Sequence, residues 1–182
     1  MDQRGRNAAF GALLCLCSCG GGDRPPPPGT LERGTGVDSA ARGQWCDSLC
    51  DSARRCGLSV AAGCPDSCWR SNSDFFARSS AASLEHQRQC MDQAACPADF
   101  EDLLSDCWLD SIDRLEPTEL ADAQCEALAP EFFACDWFAS RDSCARFHAN
   151  FSPDALKEEL SCAGSSCDAL EECISKHLYG AP

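Results

Sequence analysis

Residues 45–68 constrain the fold more than any other stretch. Cys46 and Cys50 stand four apart, Cys64 and Cys68 stand four apart, and Gly57 and Gly63 lie between the two pairs. On a helix, residues four apart share a face with Cβ atoms ~5–6 Å from each other. A relaxed disulfide needs Cβ atoms ~3.5–4.5 Å apart. Each cysteine must therefore bond across to a second helix rather than to its own neighbour. An antiparallel helical hairpin sets Cys46 opposite Cys68 and Cys50 opposite Cys64, two staples that fix the register of helices too short to be stable alone.

Cysteine content extends this reading to the whole chain. Seventeen of 182 residues are Cys, the density of a disulfide scaffold in an exported chain. Three lie at the start, Cys15, Cys17 and Cys19. The other fourteen are Cys46, Cys50, Cys56, Cys64, Cys68, Cys90, Cys96, Cys107, Cys125, Cys135, Cys144, Cys162, Cys167 and Cys173. That even number suits complete pairing in an oxidising compartment. The chain is acidic, at a formal −14; without Asp2, Arg4 and Arg6 of the leader, 13 basic face 28 acidic side chains. Such a surface repels nucleic acid, which is not expected as a partner. No D-x-D-x-D-G run supports a calcium loop.

The first residues read as a targeting segment. Arg4 and Arg6 precede an apolar run from Ala8 to Leu16, short for a membrane span and right for the core of a signal peptide. The run ends Leu16-Cys17-Ser18-Cys19-Gly20. This resembles the lipobox of bacterial lipoproteins, with a branched apolar residue three before a cysteine and a small residue on each side of it. The resemblance implies a signal peptide over 1–18, acylation of Cys19, and a membrane, the outer membrane by expectation, as a partner through that lipid. Residues 19–43 hold Gly20 to Gly22 and Pro25 to Pro28, the composition of an extended tether.

From Trp45 onward the strong periods are helical and no stretch alternates like a strand; Val occurs only at 37 and 60, Ile only at 112 and 174. The fold class expected is all-α, built of short disulfide-linked helices. Phe100, Leu103, Leu104, Cys107, Trp108, Ser111, Ile112 and Leu115 make one stripe of a helix over 97–115, with Pro97 suited to its first turn. Ser152 and Pro153 open another, with Phe151 placed to fold onto Leu156. Ser166 opens the last, along Cys167, Leu170, Ile174 and Leu178. Shorter helices are expected over 44–56, 65–71, 74–80, 84–95, 118–129 and 131–139.

The cysteines also suggest a duplication. Setting Cys46, Cys56, Cys68, Cys90, Cys96 and Cys107 against Cys125, Cys135, Cys144, Cys162, Cys167 and Cys173 keeps order, and the first interval is ten residues in both. The second copy lacks both Cys50 and Cys64, as the loss of one disulfide would require. This favours Cys125 with Cys144 and divides the chain into unit 1 (44–116) and unit 2 (117–182). The last four cysteines of each unit admit three connectivities. The run C-x3-C, C-G, C-x3-C and a late cysteine cluster looks like the Cys-rich lipoproteins of myxobacteria. That resemblance implies location and fold, and no chemistry.

No P-loop, G-x-G-x-x-G, H-E-x-x-H or G-x-S-x-G is present, so no catalytic residue and no cofactor is expected. His86 reads as an exposed polar position beside Cys90, His148 and His177 as surface. The pairs Glu158/Glu159 and Glu171/Glu172 read as solvated faces, and Phe132, Phe133, Trp137 and Phe138 as core; partial exposure of that cluster would make it a partner site. Thiolates displayed on a helical bundle bind Cu(I) or Zn(II), as in the bacterial copper storage proteins, and this is the rival to a disulfide scaffold. The function expected is that of a membrane-anchored cell-envelope protein with a structural or interaction role, with an envelope protein as possible partner. The alternative is a thiol-based store for copper or zinc.

Overall fold

The structure, a computed structural model, describes residues 37–97 and 99–179. The leader, the lipobox with Cys19, and tether residues 19–36 lie outside the described residues. Within them are ten α-helices and no strand: α1 (Ser39–Arg55), α2 (Cys64–Ser71), α3 (Ser73–Arg78), α4 (Ala81–Gln93), α5 (Phe100–Arg114), α6 (Glu119–Ala127), α7 (Ala129–Ala134), α8 (Arg141–His148), α9 (Pro153–Glu159) and α10 (Cys167–Tyr179). A 3-10 turn, Leu160–Cys162, follows α9. The chain is all-α and disulfide-rich, and no helix among the described residues is long and apolar enough to cross a membrane.

Capping residues fix where several helices start. Asp38 accepts a hydrogen bond from Ala41 N at 2.7 Å, so α1 begins at Ser39 and residues 39–43 belong to the folded part rather than to the tether. Asp99 takes the same role for α5, accepting from Asp102 N at 2.8 Å; the helix starts at Phe100, and Pro97 precedes it. Such a cap satisfies one of the orphan donors of the first turn. The segment 131–139, expected to be helical, stops at Ala134, and Asp136 turns the chain at φ 55°. Helix α8 is not foreseen by apolar periodicity; a capping box between Ser140 and Ser143 starts it.

All fourteen cysteines of the described residues pair. Cys46 bonds Cys68 and Cys50 bonds Cys64, the antiparallel register expected of the hairpin. Cys56 bonds Cys96 and Cys90 bonds Cys107. In the second half Cys125 bonds Cys144, Cys135 bonds Cys167 and Cys162 bonds Cys173. Under the alignment of the two halves, the second set repeats the first bond for bond, with Cys50–Cys64 the one bridge that has no counterpart. Among the described residues, no bridge joins residues before 116 to residues after it.

The halves meet across a pseudo-two-fold axis. Ser79 and Phe151 face each other in an isolated antiparallel bridge. Ser80 N donates to Asn150 O at 2.8 Å and Ser152 N to Arg78 O at 2.6 Å. The side chains repeat the exchange, Ser80 Oγ donating to Ala149 O and Ser152 Oγ to Ala77 O. Each of these residues is matched by the one 72 positions later, so the contact is self-complementary in the manner of a two-fold dimer interface. Ser80 caps α4 and Ser152 caps α9 by the same bond to the third residue on. Helix α5 packs on α8, and its mate α10 packs on α3. Between Cys68 and Ser79 unit 1 has four residues more than unit 2 has between Cys144 and Phe151; α3 fills that extra turn.

A single apolar core runs through both halves. Trp108, 1 % exposed, sits at its middle. Its ring meets Phe75 of one half and Phe147 and Phe151 of the other at centroid distances of 6.4, 6.5 and 5.7 Å, favourable edge-on contacts. Packing joins the halves and disulfides do not, which gives a direct test. A protease site placed at Glu116–Thr118, cut in the folded oxidised chain, should leave one species in gel filtration. Denaturant without reductant should then release two fragments. Fragments that part on cutting alone would disprove the shared core, and fragments that stay joined in denaturant would disprove the pairing.

Candidate functional site

The polar interior is unequal between the halves. Unit 2 buries an ionisable pair: His148 and Glu159 are both 0 % exposed, and Gln124 beside them is 2 % exposed. His148 is the last residue of α8, one turn after Cys144, which points its ring along the face that carries the disulfide. Glu159 ends α9 on the stripe of Ala155 and Leu156, and Gln124 precedes Cys125 on α6. The disulfide between α6 and α8 thus draws all three side chains together.

His148 Nδ1 lies 2.8 Å from the carbonyl oxygen of Cys144. A carbonyl only accepts, so Nδ1 carries a proton; the assignment follows from the hydrogen-bond network. Nε2 lies 3.0 Å from Glu159 Oε1, and one proton is shared across that contact. Gln124 Nε2 donates to Glu159 Oε2 at 2.8 Å, while Gln124 Oε1 finds no donor. The sulfurs of the Cys125–Cys144 bridge stand 3.3 and 3.5 Å from His148 Nδ1. Around the imidazole are Phe132, Phe138, Phe147 and Phe151, with ring centroids 5.2–6.5 Å away.

Residues aligned with this cluster in unit 1 carry no charge. Counting 72 back from Glu159 and His148 gives Gln87 and Phe76, and the residue before Cys46, matching Gln124, is Trp45. Gln87 is buried and donates to Ser83 Oγ at 2.8 Å, and Ser83 and Ser111 both donate to Asn150 Oδ1 at 2.7 Å. Asn72, four after Cys68 as His148 is four after Cys144, donates to the Cys68 carbonyl at 2.8 Å. Unit 1 solves the same packing problem with neutral groups.

The other histidines lie elsewhere. His86 is half-buried and pairs with Asp110 at 2.9 Å, tying α4 to α5; burial works against the Asp110 charge, but hydrogen bonds from His86 and Arg114 outweigh it and hold the carboxyl below its ordinary value. His177, also half-buried, contacts Glu158 Oε2 at 3.4 Å and Ser161 Oγ at 3.3 Å, close to the Cys162–Cys173 bridge. Glu158 is held below its ordinary value chiefly by the hydrogen bond from Arg78, which also reaches the His177 carbonyl across the pseudo-axis.

Three expectations from sequence are corrected. His148 is buried instead of on the surface, because the cysteine four residues before it fixes that helix face inward. Glu159 is buried instead of solvated, because it continues the inward stripe of α9; Glu158 beside it is exposed. Phe133 is 44 % exposed, whereas Phe132, Trp137 and Phe138 pack together as core, at 6.0 and 5.2 Å between ring centroids. The signal that could have found the cluster is the i, i+4 spacing of Cys144 and His148, combined with the pairing of Cys144 to the neighbour of Gln124.

Compared with known protein families, characterised proteins and solved structures, the chain matches none.

Proposed function

We propose that this chain is a lipid-anchored cell-envelope protein whose disulfide-stapled helical domain serves as a structural or interaction module. The observation that carries the reading is the pairing of all fourteen cysteines of the described residues, which is consistent with an oxidising, exported environment. The lipobox-like run ending at Cys19 supports the anchor, and the Gly- and Pro-rich residues after it support a stalk that holds the domain off a membrane. An acidic surface and a rigid, cross-linked fold suit docking to another envelope protein rather than to nucleic acid. Cys19→Ala, with Cys15 and Cys17 kept, should move the protein from the membrane to the aqueous fraction. A variant that still partitions into detergent would refute the anchor.

A second reading, soft-metal binding by thiolates, is kept by two groups in unit 2, Cys125/Cys144/His148 and Cys162/Cys173/His177. Unit 1 offers no such group among the described residues. Binding at either needs its disulfide open.

A further inference from the structure

We propose that Cys125, Cys144 and His148 form a binding site for one Zn(II) ion, available when the Cys125–Cys144 disulfide is reduced. The inference rests on the soft-metal reading and narrows it from a store to a single buried site.

The donor geometry is already in place. On a tetrahedral zinc, a nitrogen at about 2.0 Å and a sulfur at about 2.3 Å lie about 3.5 Å from each other. His148 Nδ1 stands 3.3 Å from Cys125 Sγ and 3.5 Å from Cys144 Sγ. The sulfurs, bonded in the oxidised chain, must move apart, and Nδ1 must turn from the Cys144 carbonyl it meets at 2.8 Å, to seat an ion between them and the imidazole.

The surroundings of the histidine point the same way. A metal-bound histidine characteristically gives its other N–H to a carboxylate, which fixes the ring and raises its basicity. Here Nε2 meets Glu159 at 3.0 Å, and Gln124 holds that carboxylate from the far side. The duplicated half has only neutral residues at the aligned positions, Trp45, Gln87 and, counting from the cysteine or 72 back, Asn72 or Phe76, so the fold does not need a buried ionisable pair. Replacing such a pair by apolar groups is commonly neutral or stabilising; its presence in one half only, against a cysteine pair, marks a purpose other than packing. The group at Cys162/Cys173 has a weaker form of this arrangement: His177 Nδ1 meets Glu158 at 3.4 Å, that carboxylate is exposed, and Ser161 lies 3.3 Å from Nε2.

Burial selects the charge of the ion. The site is 0–2 % exposed, and net charge there is costly. Counting the Glu159 carboxylate, two thiolates leave one negative charge beside a divalent ion and two beside a monovalent one, which favours Zn(II) over Cu(I). The chemistry balances with a dithiol as reductant. It delivers two electrons and two protons to the Cys125–Cys144 bond, giving two thiols, and itself closes to a disulfide. Zn(II) then displaces the two thiol protons and the Nδ1 proton, leaving Nε2–H donating to the Glu159 carboxylate.

The test uses the full chain, reduced in steps by limiting phosphine, which adds no chelating competitor, and kept where helical circular dichroism is unchanged. Zinc is added to one equivalent, free thiols are alkylated, and the labelled positions are mapped by mass. Zn(II) should shield Cys125 and Cys144 while any other cysteine the phosphine has freed is labelled. With Co(II) as spectroscopic stand-in, the reduced chain should show thiolate charge-transfer absorption. Glu159→Gln should weaken binding about 10–100-fold, the cost of losing an outer-shell partner. His148→Phe should weaken it more, and His177→Phe should leave it unchanged. Shielding of other cysteines, or binding that survives His148→Phe, overturns this site while leaving soft-metal binding standing. No zinc bound at all overturns both.

Discussion

Glu159→Ala should destabilise the oxidised protein by about 3–5 kcal/mol, the range for removing one partner of a buried ion pair, whereas the double change His148→Phe/Glu159→Gln should leave stability within about 1 kcal/mol of wild type or raise it. The single change strands His148 Nε2 and the amide of Gln124, both now paired with Glu159 and out of water. Water does not reach them, so each orphaned group costs its full desolvation. The double change gives position 159 the amide that unit 1 carries at Gln87, and position 148 the ring that unit 1 carries 72 residues earlier at Phe76. A phenylalanine ring would enter a nest already made by Phe132, Phe138 and Phe147, and two amides at 124 and 159 can bond each other. Urea unfolding without reductant measures both variants. If the double variant is as unstable as the single one, unit 1 is no guide to what unit 2 can tolerate, and the pair is needed for packing.

How much of this was legible in the sequence depends on where each signal lay. The opening hairpin was legible because helical spacing forbids bonds within Cys46/Cys50 and Cys64/Cys68, leaving antiparallel pairing as the solution that the structure adopts. The α5 stripe was legible for the same reason: Leu103, Cys107, Trp108, Ser111 and Ile112 recur every three or four residues and all are buried. The remaining connectivity was not, because Cys56–Cys96 and Cys90–Cys107 depend on how helices from distant parts of the chain lie. Helix α8 escaped because its inward face holds Cys144, Ala145, Phe147 and His148, so a polar residue stood where the apolar period was sought. The buried pair escaped with it. A histidine and a glutamate eleven residues apart carry no local pattern, and they are enclosed by α6 and α8, joined by the Cys125–Cys144 bridge, together with α9 packed on α6. The pseudo-axis was half legible: cysteine order announced a duplication, but nothing in Ser79, Ser80, Phe151 or Ser152 announced that the copies would meet back to back there.

Partial reduction should expose unit 2 to protease before unit 1, and full reduction should remove most of the stability of both. Each bridge of this loop size contributes about 3 kcal/mol by the chain-entropy account, while a whole domain is stable by about 5–15 kcal/mol. Unit 1 keeps four bridges and unit 2 three. Helix length adds to the imbalance. Unit 1 has helices of 17, 13 and 15 residues, α1, α4 and α5. In unit 2 the helices before α10 have 9, 6, 8 and 7 residues, each below the ~12–15 at which an isolated helix holds any structure in water. Tertiary contacts and cross-links must therefore carry more of unit 2. Opposing this, the core is continuous through Trp108, which packs on Phe147 and Phe151 of unit 2, so losing unit 2 uncovers a large apolar face on unit 1. The order of cleavage decides which effect wins. Early cuts confined to 118–179, with 39–114 still resistant, would mean that the staples of unit 1 outweigh the lost face. Simultaneous cutting in both halves at every reductant concentration would mean that the shared core binds them into one cooperative unit. Resistance of both halves in excess reductant, with helical circular dichroism unchanged, would mean that packing alone holds the fold and would leave fourteen cysteines free for other chemistry.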